Sequence, residues 1–171
     1  TKGVYYMRKL YIKQKVFSFT DQFSVYDDQE RRQYYVKGSF MKIPKQFTIY
    51  NHHDQEIAVI TKKIWSFLPK FYVDIRHQSQ ILIEKELTFL KARYHISAKG
   101  ITVEGDWWDM TFNILHQGKP IAAIAKRWFS WGDTYEVTIL DETMEELIIS
   151  LVIAIDCVKS DERAAGSSAS V

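Results

Sequence analysis

The sequence predicts a mainly β fold: a closed antiparallel barrel of about twelve strands, built from two repeats and wrapped around a C-terminal hydrophobic central helix. Three observations carry this. Short aromatic and β-branched runs alternate with polar turns from Met7 to Leu140, the chain aligns with itself, and one late segment is apolar in every direction. The 171 residues, 46% hydrophobic and 15% aromatic, are the span of one compact domain. A single cysteine, Cys157, excludes an intrachain disulfide framework and a Cys-rich metal centre. Seven Gly and three Pro are too few for a fibrous or low-complexity chain.

Along the chain, residues 1–6 read as an extension ahead of Met7, and residues 7–158 as one barrel domain. The start holds no secretory signal, because Arg8, Lys9, Lys13 and Lys15 interrupt any apolar run. Strand-like runs follow, among them Phe23-Ser24-Val25-Tyr26, Phe47-Thr48-Ile49-Tyr50, Phe71-Tyr72-Val73-Asp74-Ile75 and Tyr135-Glu136-Val137-Thr138-Ile139. Turn signals at residues 27–30, 51–54, 98–100 and 117–120 separate them. Segments this short at this spacing favour an antiparallel barrel or sandwich over βαβ units.

Residues 57–75 and 121–139 align without gaps, sharing Ile57/Ile121, Ala58/Ala122, Ile60/Ile124, Lys62/Lys126, Ser66/Ser130, Val73/Val137 and Ile75/Ile139. Upstream, Val36-Lys37-Gly38 faces Val103-Glu104-Gly105, and Phe47-Thr48-Ile49 faces Phe112-Asn113-Ile114. The repeats cover about 12–75 and 83–139, each with about six strand-like runs. Twelve antiparallel strands enclose a lumen too wide for their own side chains to fill.

Residues 147–155 supply a filler, being apolar except for Ser150. Thr143-Met144-Glu145-Glu146 reads as a capping box, and the acidic entry suits a helix N-terminus, so a helix is predicted over about 142–158. Nine apolar residues span only ~14 Å, well short of a bilayer core. The helix must therefore be buried in protein on all sides. Cys157, at its end, reads as a buried small hydrophobe, and residues 159–171 read as a polar tail.

The run Val103-x-Gly105-Asp106, then Ile121-Ala122-x-Ile124-x-Lys126-Arg127-x-Phe129-Ser130, then Asp133-Thr134-Tyr135-x-Val137, resembles the LURP-one-related family, as does the closing 151–156. That family is similar in fold to the tubby C-terminal domain and to phospholipid scramblases. The resemblance spans about residues 10–156 and implies a twelve-stranded barrel around a hydrophobic helix, with no established enzymatic activity. By analogy with tubby it implies a phosphoinositide-binding surface. Tubby's headgroup-binding residues match no positions here, so none is carried over. Scramblase transport is not implied, because no palmitoylation-type Cys cluster is present.

Charge is uneven: residues 1–63 carry +6 and residues 64–171 carry −4. The cations without repeat counterparts, Arg8, Lys9, Lys13, Lys15, Lys37, Lys42 and Lys45, are the candidates for an anionic ligand. Lys62-Lys63 and Lys126-Arg127 recur in both repeats and fall on opposite sides of a barrel. They read as structural, their stems covering Trp65 and Phe129. His52-His53-Asp54 reads as a solvated turn, and Asp106-Trp107-Trp108-Asp109 as a turn with two packed indoles. No catalytic constellation, metal-ligand spacing, phosphate loop or cofactor motif is found.

The function expected is a non-enzymatic binding or regulatory module for phosphoinositide, another anionic membrane headgroup, or a protein partner. It is expected in the cytoplasm or peripherally at the membrane, without a transmembrane span. The alternatives are an enzyme using a cleft at a barrel mouth and a weak nucleic-acid-binding regulator. A net charge of only +2 disfavours the last.

Overall fold

The computed structural model describes residues 7–14, 21–39, 45–63, 65–87, 92–128 and 133–168. Twelve strands form one antiparallel sheet. They are β1 Arg8–Gln14, β2 Asp21–Asp27, β3 Arg32–Ser39, β4 Gln46–Asn51, β5 Glu56–Lys62 and β6 Lys70–Ile75 in the first half. The second half holds β7 Ile81–Leu87, β8 Ala92–Ser97, β9 Ile101–Asp106, β10 Thr111–His116, β11 Lys119–Trp128 and β12 Asp133–Ile139. Each strand pairs with its sequence neighbour, and β1 pairs with β12. The one interruption lies between β8 and β9, which are joined by the turn 98–100 yet form no ladder. The barrel is thus nearly closed, where the sequence predicts full closure.

The alternation in each strand sends one face inward. Leu10 and Ile12, Phe47 and Ile49, Phe71 and Val73, and Phe112 and Ile114 are all buried. Inside lies α1, Glu145–Ser168, preceded by a short 3-10 turn at Glu142–Met144. Ile148, Ile149, Ser150, Leu151, Val152, Ile153, Ala154 and Ile155 have no exposed surface at all. A residue sequence with no polar face finds burial on every side only inside a closed wall.

The helix entry differs from the capping box read from sequence. Asp141 is the cap of the 3-10 turn: its Oδ1 accepts from Thr143 N at 3.0 Å and from Thr143 Oγ1 at 2.6 Å. The Thr143 hydroxyl therefore donates to a carboxylate upstream, because the added turn shifts the first orphan N–H groups towards Asp141. Glu145 is held by the Tyr34 hydroxyl at 2.7 Å and by Arg8 at 2.9 Å. Burial, then that hydrogen bond to Glu145, pushes the Tyr34 hydroxyl well above its ordinary value.

At its far end α1 runs on to Ser168, through the stretch read from sequence as a tail. Its polar side chains there find partners on the wall. Tyr135 donates to Asp156 at 3.0 Å, and the Lys159 ammonium stands 5.7 Å from the Tyr135 ring centroid. Asp161 accepts from Lys45 at 3.0 Å and from Lys62 at 2.6 Å, and Lys85 pairs with Glu162 at 2.8 Å. Burial alone would raise the Asp161 carboxyl; hydrogen bonds from Lys62 and Lys45 outweigh it and hold the carboxyl below the usual range. Cys157 is buried, and that burial pushes its thiol well up, away from thiolate chemistry.

Gly38 and Gly105 admit close approach of the next strand. Gly38 pairs with Phe47 and Gly105 with Phe112. A Cβ on Gly38 would overlap the Phe47 ring, and one on Gly105 would stand 2.8 Å from the Thr111 carbonyl oxygen. Gly105 also has φ +119, a conformation that favours glycine.

Three stability outcomes are expected. Val152→Asp should abolish the cooperative thermal transition, because a carboxylate there has no water and no partner; an unchanged melt would contradict the central position of α1. Gly38→Ala should lower stability by about 1–3 kcal/mol in chemical denaturation, from overpacking against Phe47. The carboxyls of Asp161 and Glu136 are depressed in the folded state, so the unfolded chain takes up protons first as pH falls. Stability should therefore be full above the ordinary carboxylate range and fall below about pH 4. In melting temperature against pH, Asp161→Asn should be less stable at neutral pH and show a shallower acid limb.

Candidate functional site

Of the seven cations nominated by sequence, Lys15 and Lys42 lie outside the described residues. Arg8 is engaged with Glu145 at the helix entry, and its Nη2 donates to Gln33 at 3.2 Å. Lys9 pairs with Glu136 at 3.0 Å. Glu136 also takes Arg127 Nε at 2.9 Å and its Nη2. Burial would raise the Glu136 carboxyl, but the bonds from Lys9 and Arg127 prevail and lower it. Lys45 is committed to Asp161. These cations hold the barrel and its helix together.

Lys13 and Lys37 are placed differently. Both are exposed on the outer wall near the ends of β1 and β3. Lys13 Nζ lies 4.9 Å from the Tyr26 ring centroid and 3.9 Å from Glu30, an exposed carboxylate. Lys37 Nζ lies 5.2 Å from the Tyr35 ring and 5.4 Å from the Tyr50 ring. Those rings are stacked with centroids 5.2 Å apart and planes 16° from parallel. Tyr35 is fixed in turn by its hydroxyl, which donates to Asp54 at 2.7 Å. That hydrogen bond, with burial second, raises the Tyr35 hydroxyl, so the phenol stays neutral.

Arg32, which sequence reasoning passed over, completes the group: its guanidinium stands 4.6 Å from the Tyr35 ring. Its place beside Glu30 and Arg31 makes it look like part of a charged turn. Three positions before Tyr35 in a strand, it falls on the other face by simple alternation, so the sequence carries no signal of this contact; the register shift between Val25 and Tyr26 lies beside it. Cation–π contact orients these charges without neutralising them. Among the described residues neither Arg32 nor Lys37 forms an ion pair.

Arg31, by contrast, is bound to Asp27, whose Oδ2 accepts from its Nε at 2.8 Å and from Gln33 Nε2 at 2.9 Å. Burial would raise the Asp27 carboxyl, and the bonds from Arg31 and Gln29 outweigh it to lower it. A 420 Å³ cavity beside Lys13 is lined by Tyr11, Tyr26, Asp28 and Glu30 among others, so carboxylates oppose an anion there. Around Arg32 and Lys37, among the described residues, neither cation is paired with a carboxylate.

The other motifs resolve as structure. Lys62 is held by Asp161, while Trp65 is almost fully exposed, so no alkyl stem covers that ring. Arg127 serves Glu136. His52 and His53 sit in the exposed turn between β4 and β5, where Asn51 Oδ1 accepts from His53 N at 3.0 Å. Asp106 accepts from Asp109 N at 2.9 Å, and the Trp107 and Trp108 rings meet edge-on at 5.7 Å. No helix among the described residues is long and apolar enough to cross a membrane.

Comparison with known proteins agrees with this architecture. YxjI of Bacillus subtilis (strain 168), described as an uncharacterized protein, is 31% identical over 149 residues, covering 87% of this chain and 91% of its own. The X-ray structure of the Arabidopsis thaliana protein AT5G01750 superposes with a TM-score of 0.56 at 8% identity, over 89% of this chain and 93% of that one. At that identity the likeness speaks for the fold alone. A family model described as LURP-one-related matches residues 8–156, the barrel together with most of the apolar part of its helix. The chain belongs to the LURP-one-related family.

Proposed function

We propose that the protein is a non-enzymatic binding module whose outer wall engages anionic membrane headgroups, phosphoinositides included, through Arg32 and Lys37. The observation that carries this reading is the pair of oriented cations over Tyr35 and Tyr50, neither of which forms an ion pair among the described residues. Guanidinium and ammonium groups fixed in this way suit phosphate oxygens, because little side-chain entropy remains to be lost on binding.

The arrangement of the halves supports it. We read the barrel as two six-strand repeats. The β5–β6 hairpin pairs Ala58 with Ile75, Ile60 with Val73 and Lys62 with Phe71. The β11–β12 hairpin pairs Ala122 with Ile139, Ile124 with Val137 and Lys126 with Tyr135, the same register. Within that correspondence Glu104 stands where the first half has Lys37. A cation present in one half only is not required by the barrel's own geometry.

The test is sedimentation with phosphatidylcholine vesicles, with and without a phosphoinositide, at low and physiological salt. Arg32→Glu together with Lys37→Glu should weaken headgroup-dependent binding by at least about tenfold at low salt. The unmodified protein should lose affinity as salt rises. Equal binding by parent and double variant would overturn the assignment of this wall.

A further inference from the structure

The meander sends its connections alternately to the two mouths of the barrel. Those leaving even strands, residues 28–31, 52–55, 76–80, 98–100 and 117–118, contain no Phe, Trp or Tyr. By sequence, every connection leaving an odd strand carries Phe or Trp. Of those odd connections, β5–β6 and β9–β10 hold their aromatic residues among the described ones.

In the first, Trp65 is 91% and Phe67 97% exposed, whereas Phe23, Phe47, Phe71 and Phe112 are buried in the core. The base of this loop is tied down. Lys63 N donates to the Lys70 carbonyl at 2.9 Å, and Lys85 N donates to the Pro69 carbonyl at 3.0 Å, fixing the loop to β7. The exposed rings therefore project from an anchored base. Lys63 is exposed beside them. In the second connection Trp108 is exposed at the same mouth. The mouth is also the one at which α1 meets Lys45, Lys62 and Lys85, and towards which Lys13 and Lys37 lie.

We propose that this mouth docks on an anionic bilayer, with Trp65 and Phe67 inserted into the interfacial region and Lys63 at headgroup level. Indole and phenyl rings on the tip of a hairpin, bordered by lysine, match the polarity gradient of a membrane interface. Their placement on a rim, 91% and 97% exposed, suits a flat lipid surface. The inference deepens the membrane reading above by naming the part that enters the lipid; it is carried by Trp65, Phe67 and Lys63, and Arg32, which opens β3, lies at the other mouth.

The experiment compares the parent, Trp65→Ser/Phe67→Ser and Arg32→Glu/Lys37→Glu. It uses phosphatidylcholine vesicles, phosphatidylcholine/phosphatidylserine vesicles and a soluble inositol phosphate. The parent should sediment with the phosphatidylserine vesicles, and its tryptophan emission should shift to the blue. Trp65→Ser/Phe67→Ser should keep the parent's melting temperature and lose at least about tenfold in vesicle partition, with inositol phosphate binding unchanged. If the charge-reversed variant matches the parent in every arm while the aromatic variant loses partition, the headgroup wall fails and the insertion rim stands. No partition by the parent, or equal partition by parent and aromatic variant, overturns the proposal. A parent that is dimeric in gel filtration, with an aromatic variant that is monomeric and partitions equally, assigns the rings to a second copy instead.

Discussion

A helix segment with no polar side cannot meet water, and the whole architecture follows from that constraint. Residues 148–155 of α1 have no exposed surface, so the chain must build a wall around them. A twelve-strand meander does so, and the lumen that would otherwise stand empty is filled by the buried helix. Wall and helix are each other's reason: the strands have no other filling, and the helix no other shelter.

Polar groups at both ends set where along the barrel axis the helix sits. Apolar packing alone would tolerate a shift of α1 along the lumen, since Leu, Ile and Val exchange places at small cost. Glu145 between Arg8 and Tyr34 fixes one end; Asp156 under Tyr135 and Asp161 between Lys45 and Lys62 fix the other. These bonds are made in partly or wholly dry surroundings, where a missed partner costs more than a made bond contributes. They act chiefly as register marks. Cations recruited for that task are withdrawn from any ligand; among the described residues Arg32 and Lys37 on β3 are not so engaged.

Features carried by local pattern were legible in the sequence. The all-apolar run, the alternation in the strands and the paired Gly38 and Gly105 each depend on a residue and its near neighbours. The resemblance to the LURP-one-related family rested on the same residues. What escaped was long-range or competitive. Lys45 reads as a free cation because its partner, Asp161, is 116 positions away. The Thr143 capping box is a sound local pattern displaced by Asp141, because a 3-10 turn precedes the α-helix. Arg32 becomes notable only when Tyr35 and Tyr50 are seen stacked beneath the same wall. The open junction between β8 and β9 has no sequence marker, since the turn 98–100 is an ordinary hairpin signal.

The order of the elements also governs how such a molecule can be assembled. β1 must wait for β12 before the wall is complete, and α1, which fills the interior, leaves the ribosome after every strand. Nascent chains of this protein therefore carry apolar strand faces with nothing yet to cover them. A wall sealed before its core arrived would trap water or exclude the helix. The unladdered β8–β9 junction leaves one place where the strands can part without breaking backbone bonds. The barrel is therefore a structure whose filling is the last element made, and whose first and last strands, β1 and β12, meet only when the meander is complete.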